Sequence, residues 1–247
     1  MMLSLLAMGG EMAEKTARWV LARTTRSGRL YRHLARLEAA GAIVRSNSGP
    51  LDKRVLRLTA QGHRRLLGVG DPEAEWSRPW DGVWRIVAFD IPEVSSARRA
   101  KLRRRLHEHR FGWLQNSVWI SPDPVDDFRQ AVGETGFNPE CLAIFEARAA
   151  GGENPAALVN GAWDFPQLAK DYGNYREVLR LRPDRIVGTA AAWFRWLESE
   201  HWAWRRIVRR DPFLPAVLLP LDYPGRAVWA MRLKTLREFA TAVGGEA

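Results

Sequence analysis

Arg29, Arg32 and Arg36 are spaced three and four residues apart, the interval that stacks side chains on one face of an α-helix. Guanidinium groups in such a stripe can meet base edges and phosphates in a DNA major groove. Ser27 precedes them and is a natural helix N-cap. Ser27 and Tyr31 can donate hydrogen bonds to phosphate oxygens, and His33 lies in the same run. Lys53 and Arg54 form a second basic point further on. These eight residues are the candidate DNA contacts.

Catalytic chemistry has weaker footing. Asp90 closes an apolar run, and a carboxylate there can contribute to a metal site for phosphodiester hydrolysis. A hard cation needs several oxygen ligands, however, and no second acid recurs in that run, so a dimer would have to bring two copies together. A strand-end aspartate that caps a turn or organises a dimer is the simpler reading. The five histidines form no HExxH or other ligand spacing. One cysteine, Cys141, excludes an intrachain disulfide and a thiolate zinc cluster, and it fits a reducing compartment.

The elements that must hold these groups follow from charge and periodicity. Residues 1–70 carry 13 Lys and Arg against 4 Asp and Glu, whereas residues 71–247 carry 25 against 24. Nearly all of the net +10 therefore sits in the first quarter of the chain. Eleven of the twelve tryptophans lie beyond residue 70. A small basic module on a charge-balanced body suggests a nucleic-acid reader joined to something that controls it. At 247 residues, 46% hydrophobic and 27% charged, the chain reads as two or three soluble globular domains. Met1–Ala7 is apolar but too short for a signal peptide, and no apolar run reaches membrane-spanning length, so the expected location is cytoplasmic, away from the membrane.

In the first module, residues 1–70, Leu3–Ala7 begins a helix broken at Gly9-Gly10, and Glu11–Ala22 is a second helical stretch. A turn at Thr24–Ser27 leads into a helix that runs to about Ala40 and stops at Gly41. Leu30, Leu34 and Leu37 form its packing face, opposite the arginines. Ala42–Arg45 and Asp52–Leu58 read as strands around a polar loop, a wing with Lys53 and Arg54 at its tip. A charge stripe alone is compatible with a solvated helix face. Its coincidence with turn, cap and wing favours DNA.

Asp71–Pro79 reads as a linker. Residues 80–150 then give strand Trp84–Pro92, basic helix Ala97–His109, strands Phe111–Leu114 and Ser117–Ile120, helix Pro124–Val132 and strand Cys141–Ala147. This βαββαβ order predicts a ferredoxin-like domain with helices on one sheet face. Arg98, Arg99, Lys101, Arg103, Arg104 and Arg105 are the densest basic run. It could attract DNA phosphates or those of a coenzyme A, but a solvated face paired with Glu108 is the preferred reading. Residues 155–247 show helical periodicity, with Trp163, Phe165, Leu168 and Tyr172 on one helix, a second over Val187–Val208, a Pro-punctuated segment Asp211–Gly225 and a last helix over Arg226–Val243. The aromatic clusters read first as core. The fold class is therefore α+β, with an N-terminal winged helix-turn-helix, a middle ferredoxin-like domain and a C-terminal helical domain.

Resemblances sharpen this. Ser27–Gly41 resembles the recognition helix of bacterial winged-helix repressors, and Leu58-Thr59-Ala60-Gln61-Gly62 the end of their wing. Phe89-Asp90-Ile91-Pro92 and Leu114–Ile120 resemble the small ferredoxin-fold CRISPR-associated nuclease, whose proposed metal-ligand aspartate falls on Asp90. The longer resemblance is to the PaaX-like family, repressors of phenylacetic acid catabolism. It is carried by Trp80–Arg85, Phe89–Glu93, Val118–Pro122 and, most strongly, Asp211–Gly225, with Tyr223 where a tryptophan is common. The first module departs from that family, whose members begin with more sequence before the first helix.

This resemblance implies a homodimer that binds double-stranded operator DNA. It also implies a small-molecule effector, phenylacetyl-CoA or another acyl-CoA, that releases the DNA, and no catalytic cofactor. The rivals are a metal-dependent nuclease at Asp90 and a DNA-binding protein without a ligand.

Overall fold

The structure, a computed structural model, describes residues 36, 38–41, 43–45, 56–59, 71–92, 95–133, 141–150, 154–184 and 190–244. Near the start, β1 (Ile43–Arg45) pairs antiparallel with β2 (Leu56–Leu58), Val44 opposite Arg57. Gly41 has φ +64°, the left-handed conformation expected of a helix-terminating glycine. The Thr59 hydroxyl donates to the Gly41 carbonyl at 2.6 Å, tying the two ends of this hairpin.

The chain divides into two compact units, one of which joins residues 73–169 to 209–223. Its centre is a four-stranded antiparallel sheet of β3 (Trp84–Phe89), β4 (Gly112–Gln115), β5 (Val118–Ser121) and β6 (Leu142–Ala147). The strands lie side by side in the order β4-β5-β3-β6, with Val87 opposite Trp119 and Ile144. Helix α2 (Ser96–Glu108) follows β3 and α3 (Asp126–Gly133) follows β5. The βαββαβ order read from the sequence is therefore present, with the first and third strands central as in a ferredoxin-like sheet.

Alternation along β3 decides what covers each face. Val87 and Phe89 pack with Leu102 and Leu106 of α2 and Phe128 of α3. Trp84 and Ile86 point to the other face, where α4 (Pro155–Ala162) and residues 214–219 cover them through Val159, Leu214 and Leu218. The helices of the 80–150 module, α2 and α3, thus share one face as expected, and the second face is covered by segments from outside that module. A single helical layer would leave Trp84 and Ile120 bare, and burying them stabilises the unit by about 2 kcal/mol or more per side chain.

The expected linker at Asp71–Pro79 is corrected, because Pro72–Ser77 is helix α1. Pro72 supplies a fixed φ at the first helical position, where a missing N–H costs nothing. Trp76 is fully buried, stacked on Phe213 at 5.6 Å and edge-on to Tyr223 at 5.9 Å. The Pro and Glu content looked like a spacer, and the tryptophan anchors it.

The other unit contains α6 (Ala190–Val208), α7 (Gly225–Gly244) and most of α5 (Phe165–Arg180). Trp163, expected on the same helix as Tyr172, instead caps the C-terminus of α4. Arg232 of α7 and Glu200 of α6 form a buried ion pair at 2.7 Å, to which the Tyr175 hydroxyl of α5 donates at 2.5 Å. The Arg232 guanidinium lies 4.9 Å from the Trp204 ring and 5.3 Å from the Trp229 ring. Trp193, Trp196, Trp204 and Trp229 of this unit are core, as their helical spacing predicts, whereas Trp202 is 57% exposed. Among the described residues no helix is long and apolar enough to cross a membrane.

Candidate functional site

Arg36 is the one candidate DNA contact among the described residues. It is helical and exposed. Ser27, Arg29, Tyr31, Arg32, His33, Lys53 and Arg54 lie outside the described residues. Asp90 is exposed just past β3, and its N–H donates to the Cys141 carbonyl at 3.0 Å. It therefore sits where β3 and β6 part, consistent with a structural strand end. Among the described residues, no three His, Cys, Asp or Glu converge to hold a metal ion.

The sheet unit has a cavity of about 750 Å³ at the β4 edge, a volume in the range of small-molecule sites. His107 and Arg110 enter it from the end of α2, Trp113 from β4, Trp163 from the end of α4, and Arg209 and Arg210 from the chain after α6. The sequence reading named none of these as a site. Arg209 and Arg210 lie about a hundred residues beyond Arg110, and only folding brings the three arginines into the lining of one cavity, the Arg110 guanidinium itself lying 3.8 Å from the Glu75 carboxylate.

Local geometry fixes each wall. Gly112 lets Trp163 lie flat against β4, since a Cβ there would be 2.5 Å from the ring. Trp113 is 52% exposed, and its indole N–H donates to the Asn116 carbonyl at 3.0 Å, which holds the ring across the hairpin. Arg110 has φ +60° and its guanidinium lies 4.8 Å from the Phe213 ring. Burial pulls its pKa down from the usual arginine value, and Glu75 and Asp211 pull it back up. Burial and the positive Arg103 lower the His107 pKa. The acids of the cavity are engaged. The Asp164 carboxylate accepts the Gln167 N–H at the start of α5, and Asp211 accepts the Phe213 N–H at 2.7 Å and the Tyr223 hydroxyl at 2.5 Å.

Those Asp211 bonds explain why Asp211–Gly225 is the strongest motif in the sequence. One buried carboxylate ties both ends of the segment and holds Phe213 at φ +47°, a backbone conformation that bulky residues avoid. Arg78 completes the clamp, donating to the Phe213 carbonyl and pairing with Asp123 at 2.8 Å. Trp80–Arg85 is likewise structural. Arg85 donates to Asp81 at 2.6 Å and to the Pro122 carbonyl at 3.0 Å, and this bond holds the Asp81 carboxyl below its usual range.

The fold and these motifs define a class, an α+β protein in which a ferredoxin-like sheet is bound to a C-terminal signature segment. The chain matches the PaaX protein central Cas2-like domain over residues 77–159 and the PaaX-like protein C-terminal domain over residues 163–243. It belongs to the PaaX-like family. It is 24% identical over 203 residues to the transcriptional repressor PaaX of Escherichia coli (strain K12), covering 78% of this chain and spanning 61% of that protein's length. Its fold is similar to that of the uncharacterised protein Rv0674 from Mycobacterium tuberculosis, with a TM-score of 0.54, 25% identity, and coverage of 87% of this chain and 82% of that one.

Proposed function

We propose that this chain is a homodimeric, cytoplasmic transcriptional repressor that binds operator DNA and releases it on binding an acyl-CoA, with phenylacetyl-CoA the first candidate. One observation carries the reading. The cationic excess of 13 against 4 is confined to residues 1–70, joined to a body of the PaaX-like family. In this reading residues 1–70 fold as a winged helix. Arg29, Arg32 and Arg36 enter the major groove, Ser27, Tyr31 and His33 support the phosphate contacts, and Lys53 and Arg54 of the wing reach the flanking backbone. The ferredoxin-like sheet supports dimerisation.

The cavity at the β4 edge is the effector site of this proposal. Arg209 and Arg210, both exposed, suit phosphates, and Trp113 and Trp163 suit an adenine or aryl ring. Release of DNA requires the ligand to prefer the arrangement that cannot bind the operator, because equal affinity for both shifts nothing. Replacing Arg32 with Ala costs about 1–3 kcal/mol of specific binding, measured by titrating labelled operator. If Arg29→Ala/Arg32→Ala/Arg36→Ala leaves operator affinity unchanged, the helix assignment fails. Arg209→Ala/Arg210→Ala is expected to leave DNA binding intact and to raise the thioester concentration needed for release at least tenfold.

A further inference from the structure

We infer that helix α2 is a second DNA-contacting surface, one that grips the phosphate backbone without reading sequence. The inference rests on the DNA-binding reading above but concerns a different element. Six cations stand between Arg98 and Arg105, and the helix carries one carboxylate, Glu108. The sequence alone allowed these charges to be a solvated face balanced by Glu108. In the structure Glu108 takes up Arg105, at 2.7 Å, and the run keeps a large positive excess.

Packing fixes how the excess is presented. Leu102 and Leu106 are both 0% exposed in the core between α2 and the sheet, so the helix cannot roll. Arg98, Arg103 and Arg104 are exposed, and Lys101 is partly so. Ser96, Ala97 and Ala100, also exposed, are small and allow another surface to approach the helix closely. Thirteen residues make a helix about 20 Å long, and duplex DNA presents one negative charge per about 1.7 Å of its axis.

The chemistry of the surface selects the partner. Protein interfaces centre on aromatic and apolar anchors. Apart from the His107 ring at its C-terminal end, α2 exposes no aromatic and no large apolar side chain. Its cations are spread over several sides of the helix and do not form one narrow stripe. That arrangement neutralises phosphates and gives no fixed register against bases.

The test uses the full-length protein with two duplexes of equal length and about 40 base pairs, one from upstream of its gene and one unrelated. Binding is measured over a series of salt concentrations. Lys101→Ala/Arg103→Ala/Arg104→Ala should lower the slope of log K against log salt by about 2–3 on both duplexes. It should weaken binding at least tenfold at low salt, with an unchanged melting temperature. Arg104→Gln alone, the milder change, should lower the slope by about 1. An unchanged slope for both variants, with wild-type binding intact, overturns the inference and leaves the repressor reading standing. Equal wild-type affinity for both duplexes, lost in the triple variant, supports the inference and removes the repressor reading. No wild-type binding to either duplex overturns both.

Discussion

Arg232, buried with Glu200 and flanked by Trp204 and Trp229, carries a large consequence for single-residue change. Removing one partner strands the other charge away from water. Arg232→Ala or Glu200→Ala is expected to cost about 3–5 kcal/mol in denaturant unfolding. The paired change Arg232→Met/Glu200→Leu should recover much of that, because no lone charge remains. His201, one residue from Glu200, gives a pH signature. Burial pushes its pKa down to about 4 from the 6.5 of a free histidine. Between those values the unfolded state binds a proton that the folded state refuses, so stability falls as pH drops from about 6.5 towards 4. His107 and His109 are shifted in the same direction. Melting temperatures measured across this range should fall less steeply for His201→Gln than for the wild type. Identical profiles would mean that His201 contributes nothing to the acid loss.

At the level of elements, alternation and helical spacing made the sheet unit legible. The Leu102 and Leu106 pair, the apolar β3 and the turn before β5 gave the right order with ends displaced by one to three residues. Two features were not legible for physical reasons. Helix α1 is short and polar, held by one tryptophan whose partners, Phe213 and Tyr223, are more than 130 residues away. The cavity depends on Gly112, whose missing side chain admits Trp163, and on Arg209 and Arg210 returning to the sheet. No local pattern encodes either contact. The second sheet face shows the same limit, since the covering segment 214–219 follows α6 in the chain. Gly112→Ala should therefore displace Trp163 from the cavity wall and cost about 1–3 kcal/mol, read by near-ultraviolet circular dichroism and thermal unfolding. An unaltered indole signal and melting temperature would show that the close approach does not constrain the wall.

On the scale of the whole molecule, charge is divided by role. The first quarter holds the excess cations, and the remainder is balanced in number yet concentrates positive charge at α2 and around the cavity. Arg209 and Arg210 immediately precede Asp211, whose carboxylate ties together the segment that most strongly marks the family. In the proposed function the first quarter binds one polyanion, DNA, and the cavity answers to a smaller one. The direct test is binding to the DNA upstream of its own gene, at fixed salt, with and without phenylacetyl-CoA. The account predicts tight, sequence-specific binding that the thioester relieves. Specific binding indifferent to the thioester would contradict the effector assignment, and absence of specific binding would contradict the repressor reading itself.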